Sequence, residues 1–199
     1  MRFTLISLVA LLGIMGAGCV ASRPVHYYAI QPPAMPGAPA KPDGLTLLVG
    51  AIATPEALQD GRIHYRTAND EAGAYDYHRW TERPASMIRL SLVRALRASG
   101  GYQRVLESSS AATGDYLVRG KLDEFGEVDG GASITTRISL QVELVDAKTN
   151  RNVWDQTVER EEPVSGKTVP EVVQSLDRNL QHVVTDAAAQ IGKFLAAQR

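Results

Sequence analysis

Residues 133–146 read SITTRISLQVELVD. Ile134, Thr136, Ile138, Leu140, Val142 and Leu144 occupy every second position, and Thr135, Arg137, Ser139, Gln141 and Glu143 fill the gaps. Successive side chains of a strand point to opposite faces. The strict period of two therefore predicts a strand with one face in a core and the other wet. Such a strand needs neighbours and a covering layer. The flanking sequence supplies both. Asp129-Gly130-Gly131 predicts a hairpin turn back to a strand over 116–125, and residues 148–152 predict a second turn into a strand over 153–161.

Two helices are predicted. The first spans 84–99: Pro84 suits a first turn, and Gly100-Gly101 stops it. Its apolar face is Ala85, Ile88, Leu92, Ala95 and Leu96. The second spans 170–197, with Thr168 as its cap and Pro170 and Glu171 in its first turn. Val173, Leu176, Leu180, Val183, Ala187, Ile191 and Phe194 form one stripe along it. At 1.5 Å per residue the helix is about 42 Å long, so one end is expected to overhang the domain. Shorter strands are predicted over 45–52, 62–67 and 103–107, and 75–80 is either a further strand or a loop leading into the first helix. The run 45–52 is nearly continuous in apolar residues, as in a strand covered on both faces. The expected fold class is α+β: a mixed, largely antiparallel sheet with two main helices packed on one face.

The N-terminus is of a different kind. Arg2 precedes an eleven-residue apolar run, Leu5 to Met15, and Gly16-Ala17-Gly18 leads to Cys19. A charged start, a short apolar core and small residues at the cleavage site predict an export signal over residues 1–18. The alternative, a membrane-spanning anchor, needs about 20 apolar residues and is interrupted here by glycines. Ala17-Gly18-Cys19 resembles a bacterial lipobox, in which the Cys takes a lipid before cleavage. Cys19 is the only cysteine, so no intramolecular disulfide or Cys-based zinc site is available. Residues 19–44 hold six of the ten prolines and read as a semi-rigid tether. Within it, Val25 to Ile30 has the pattern of a short strand. That segment is either an edge strand of the domain's own sheet or a docking segment for a partner. Residues 45–199 form one α+β domain.

No active site is legible. The formal net charge of −1, from 21 basic and 22 acidic residues, gives no nucleic-acid footprint. Gly166-Lys167-Thr168 looks like the end of a phosphate-binding loop, but Glu161 stands where the loop's first Gly is needed. Ser108-Ser109-Ser110 lacks the glycines of a nucleophile elbow. The histidines 26, 64, 78 and 182 show no metal-ligand spacing. Asp76 and His78 would share a strand face, with His64 beside them if the two strands pair. The adjacent carboxylates Asp123-Glu124 and Glu161-Glu162 point apart in a strand. No catalytic residue, metal ligand or cofactor is expected. The chemistry on offer is that of a contact surface. Arg89, Arg94 and Arg97 interleave with Leu90 and Val93 on the polar side of the first helix, a mixture found at interface cores. Tyr27 and Tyr28 are the second candidate contact. A solvated helix face is the alternative for the arginines.

The chain resembles the auxiliary lipoproteins of ABC-type transport systems, related to paraquat-inducible protein C. The resemblance runs in order through Cys19, then His26-Tyr27-Tyr28-Ala29-Ile30, then Leu48-Val49-Gly50-Ala51-Ile52. It continues through Pro55, Leu58, Arg62-Ile63, Tyr65-Arg66 and Arg79-Trp80, into the helix bearing Ile88, Leu92 and Leu96. It implies a domain anchored by lipid at Cys19 to the outer membrane and facing the periplasm. The implied partners are an ATPase, a permease and an MCE-domain protein, with phospholipid or another hydrophobic molecule as cargo and no turnover by this chain. Self-association stays open. The alternative is a structural lipoprotein that helps to assemble an outer-membrane complex.

Overall fold

A computed structural model describes residues 23–30, 44–69, 71–109 and 112–198. Cys19, the signal segment and residues 31–43 lie outside the described residues. The strands are β1 (His26–Tyr28), β2 (Thr46–Ala53), β3 (Arg62–Thr67), β4 (Ala72–Trp80), β5 (Arg104–Glu107), β6 (Tyr116–Asp129), β7 (Ile134–Asp146) and β8 (Arg151–Pro163). The helices are α1 (Pro84–Ala98) and α2 (Val169–Ala197), and a 3-10 turn spans Glu56–Gln59.

All eight strands form one sheet, with β6 as its spine. Along one edge β6 pairs antiparallel with β7 over its full length, from Tyr116↔Asp146 to Asp129↔Ile134. β7 pairs in turn with β8. The other edge of β6 is shared. Its first half pairs parallel with β2 (Leu47↔Tyr116 to Ala53↔Lys121), and its last residues pair parallel with β3 (His64↔Gly126 to Thr67↔Asp129). The sheet thus forks at the 3-10 turn. β5 extends one prong and β4 and β1 the other. Gly126 permits the join, since a Cβ there would lie 2.7 Å from the His64 carbonyl oxygen.

The α+β expectation holds, with both helices on one face of a mixed, largely antiparallel sheet. On β7, Ile138, Leu140, Val142 and Leu144 are fully buried beneath Leu176, Leu180, Val183 and Ile191 of α2. β2 is covered on both faces, with Leu47, Leu48 and Val49 all buried. The start of α2 is fixed by the Thr168 backbone N–H, which donates to the Glu171 carboxylate at 3.0 Å. The expected overhang of α2 is corrected. Leu195 is buried and Phe194 lies 6.0 Å from the Trp154 ring of β8, so the last full turn is packed. Strand β8 runs the length of the helix and supplies that cover.

α1 lies on β2 and β5, and α2 on β7 and β8. Among the described residues neither helix packs extensively on β3 or β4; Ile63 and Trp80 join the common core, and Tyr65, Thr67 and Tyr75 are less deeply buried.

Candidate partner surface at the β1 edge

β1 is held to β4 by parallel pairing, His26↔His78 to Tyr28↔Trp80. Three residues make few backbone hydrogen bonds, and side chains supplement them. The His26 and His78 rings stack with centroids 5.2 Å apart, and the Tyr28 ring lies 5.7 Å from His78. The Tyr28 hydroxyl meets His78 Nδ1 at 2.9 Å. Burial, with the charge of His26 behind it, lowers the pKa of His78 below that of an ordinary imidazole. Tyr27 points away from this cluster and is 65% exposed. Val25 and Tyr77 are also exposed, and the Arg23 guanidinium sits 5.6 Å over the Tyr77 ring. Three of the four exposed large apolar side chains among the described residues are therefore on β4, on β1 or just before it. Among the described residues β1 is also the end strand of its prong. An apolar fringe on a free strand edge is a ready surface for another chain.

The residues expected to mark a partner surface on α1 separate. Val93 is corrected: at 1% exposure it belongs to the core, because β5 rises along that flank of the helix. Arg97 turns to the same strand and donates from Nε and Nη2 to the Val105 carbonyl at 3.0 and 2.8 Å. Arg89 pairs with Glu107. Leu90 and Arg94 are half-buried and face outward. Leu90 joins Met87 and Ser91 of α1, Ala29 and Ile30 after β1, and Thr81 and Glu82 of the intervening turn around a pocket of about 200 Å³. The fold thus brings Leu90 next to the segment that follows Tyr27 and Tyr28, and turns Arg89 and Arg97 elsewhere.

A second cavity, of about 410 Å³, lies at the fork and is lined by residues including Leu58, His64, Arg66, Glu124 and Arg137. Most of its charges are paired. Arg66 pairs with Glu124, and Arg137 Nε reaches Glu124 at 2.9 Å. Arg137 also meets Glu159 and Glu161 of β8, each at 3.4 Å. Asp60 accepts hydrogen bonds from the backbone and guanidinium of Arg62 and meets His64 at 3.1 Å. Burial pulls the Asp60 pKa up, and these partners outweigh it, leaving it at about 2. His64 pairs across the strands with Ala74, away from His78. Among the described residues no group of His, Cys, Asp and Glu is placed to hold a metal ion. At Gly166-Lys167-Thr168 the Glu171 carboxylate folds over Gly166, where an anion would have to sit.

A third feature escaped the sequence. β6 runs four residues past its expected end at Phe125, and this places Glu127 on the helix side, 6% exposed. The Tyr75 hydroxyl donates to Glu127 Oε2 at 2.8 Å. Burial raises the Glu127 pKa, with the Tyr75 hydrogen bond opposing and the Asp129 charge adding to the rise. Burial also raises Tyr75, with Glu127 reinforcing it. A Glu in a stretch rich in Gly and acid reads as loop, and only the strand extension shows its burial.

A family model described as "ABC-type transport auxiliary lipoprotein component" matches residues 28–188, from β1 into α2. Among solved structures, protein XCC0632 from Xanthomonas campestris, of family DUF330, superposes with a TM-score of 0.76 at 23% identity, covering 87% of this chain and 100% of that one. An uncharacterized protein superposes with a TM-score of 0.66 at 16% identity, covering 85% and 99%. The hypothetical protein CT253 from Chlamydia trachomatis gives 0.56 at 7% identity, covering 77% and 99%. At these identities the likeness is one of fold. A search of curated proteins finds no match.

Proposed function

The chain belongs to the family of ABC-type transport auxiliary lipoprotein components, and from that membership we propose that it is a lipid-anchored, periplasm-facing docking subunit. It holds the periplasmic part of an ABC transporter to the outer membrane. The anchor is at Cys19. The partner is an MCE-domain protein working with a permease and an ATPase, and the cargo is phospholipid or another hydrophobic molecule. The chain carries no turnover of its own. The observation that carries the reading is the family match over residues 28–188, which begins at Tyr28, the last residue of β1, and runs into α2. The exposed fringe of Val25, Tyr27 and Tyr77, with Leu90 beside the adjoining pocket, supports that edge as the contact surface. Aromatic anchors on an otherwise polar surface are the usual energetic centre of an interface.

The test is co-purification from solubilised envelope. Tyr27→Asp combined with Tyr77→Ser alters two exposed side chains and should leave the melting midpoint unchanged. The expected result is at least a tenfold loss of the MCE-domain partner. Leu90→Glu should weaken capture as well. Wild-type recovery in both variants would remove the β1 edge from the interface.

A further inference from the structure

The prong formed by β3 and β4 has a hollow on the helix side of the sheet. It measures about 330 Å³ and is lined by Tyr65, Thr67, Tyr75, Asp76, Glu127 and Asp129, with Ala74. Register explains the gathering. Tyr65 of β3 stands opposite Glu127 of β6 and Gly73 of β4, and Thr67 stands opposite Asp129. Gly73 is small enough to let the Tyr65 hydroxyl lie across it, since a Cβ there would be 2.5 Å from that oxygen. The Tyr65 and Tyr75 rings sit 5.2 Å apart, inclined by 55°.

The charge balance of the hollow is one-sided. It has three carboxylates and no basic lining residue. Among the described residues none of Asp76, Glu127 and Asp129 forms an ion pair, whereas Glu124, Glu159 and Glu161 nearby all do. Asp129 Oδ1 accepts from the Gly131 N–H at 2.8 Å. Glu127, more than nine-tenths buried, has the Tyr75 hydroxyl on Oε2 and no hydrogen bond to its other oxygen among the described residues. The Thr67 hydroxyl, also lining the hollow, is buried without a partner. An ionised carboxylate with little exposure and no counter-charge is costly to keep: it takes up a proton, or a cation completes it.

We propose that this hollow binds an organic ammonium group, with Glu127 as its counter-charge and the faces of Tyr65 and Tyr75 as its walls. Two aromatic faces beside a carboxylate suit a primary or quaternary ammonium through cation–π attraction. The volume fits a trimethylammonium or ethanolammonium group. A bare metal ion is not served, because the acids do not converge as ligands. The ammonium arrives either as a free amine or as the headgroup of a lipid.

The test uses the full-length acylated protein in maltoside micelles, titrated with tetramethylammonium or ethanolamine against sodium at constant ionic strength and followed by saturation-transfer NMR. Saturable binding is expected, weakened at least tenfold by Glu127→Gln and by Tyr65→Leu. Tyr75→Phe keeps the ring and should retain binding. If Glu127→Gln does not fold, Tyr65→Leu carries the comparison. A second arm adds phosphatidylethanolamine or phosphatidylglycerol to the micelles. Binding of phosphatidylethanolamine but not of the free amines assigns the site to the lipid headgroup. Binding of the free amines assigns it to the ammonium alone. No saturable binding of any ammonium probe, equal response to phosphatidylglycerol, or indifference to the variants would overturn the proposal.

Discussion

His78 does the work that three backbone residues cannot. It receives His26 and Tyr28 on its ring and its Nδ1, and has Tyr75 edge-on at 5.8 Å. Because its folded pKa is lowered from 6.5, the unfolded chain binds more protons than the folded one just below that value. The contribution of His78 is therefore fully present above about pH 6.5 and is lost as pH falls through the ordinary histidine range toward the folded pKa. The depressed carboxylates act lower. Asp60 at about 2, and Glu162, where hydrogen bonds from His182 and Arg160 outweigh the upward pull of burial, give stability that is lost only below their ordinary range near pH 4. The two windows separate. Over pH 7 to 5 the raised Glu127 acts in the opposite sense, gaining stability as it takes up a proton. His78 is therefore read as a difference: the melting midpoint of His78→Gln should fall less, or rise more, on acidification than that of the wild type, and should be lower at pH 7. Tyr28→Phe removes one hydrogen bond and should cost about 1 kcal/mol. A midpoint with the same pH slope in wild type and His78→Gln would show that β1 is held by other means.

At the scale of elements, legibility follows regularity. β7 keeps an unbroken period of two, and its alternation reads straight through to the buried row Ile138, Leu140, Val142 and Leu144. β6 does not. A register shift between Leu122 and Glu124 lets Leu122 and Phe125, three apart, both face the core, and the alternation breaks there. The strand therefore reads as ending at Phe125, and Glu127 is lost to view with the hollow it lines. The buried set Thr136, Ser175 and Asn179 was equally hidden. Asn179 donates to the Thr136 and Arg160 carbonyls at 3.0 and 3.1 Å, pairings between distant segments that no local pattern announces. On α1 the helical stripe marks the inner face, yet Val93 beside it is also buried, because periodicity locates a helix's inner face and says nothing of a strand beside its flank. Arg97 and Arg89 looked free for the same reason. The stripe of α2 gives the direct test. Leu180 is fully buried in the centre of the cluster, so Leu180→Ala should cost about 2–5 kcal/mol in chemical denaturation. A loss below about 1 kcal/mol would mean that α2 and the sheet close over the vacated volume.

For the whole molecule, the pairing of β1 changes the meaning of the tether. The prolines at 32, 33, 36, 39 and 42 fall between β1 and β2, not between Cys19 and the sheet. With the lipid proposed at Cys19, only six residues, 20–25, precede His26. At about 3.3–3.6 Å per extended residue that leash spans at most about 25 Å. The β1 edge is thus held near the bilayer, and the chain has little freedom to reach far from it. The two tryptophans report this. Trp80 stands opposite Tyr28, next to the leash. Trp154 lies on β8, four strands from β4 in the sheet order and so roughly 19 Å farther by strand spacing alone. Energy transfer from tryptophan to a dansyl-labelled lipid should be stronger in Trp154→Phe, which keeps Trp80, than in Trp80→Phe, which keeps Trp154. Inserting ten Gly/Ser residues after Ser22 should reduce transfer from Trp80 without unfolding the domain, and Cys19→Ser should abolish it by releasing the protein from the membrane. Equal transfer from the two tryptophans, unchanged by the insertion, would mean that the domain lies flat on the bilayer or that the lipid is attached elsewhere. The intact mass of the Cys19→Ser protein separates those cases, since an acyl chain that survives the substitution is not on Cys19.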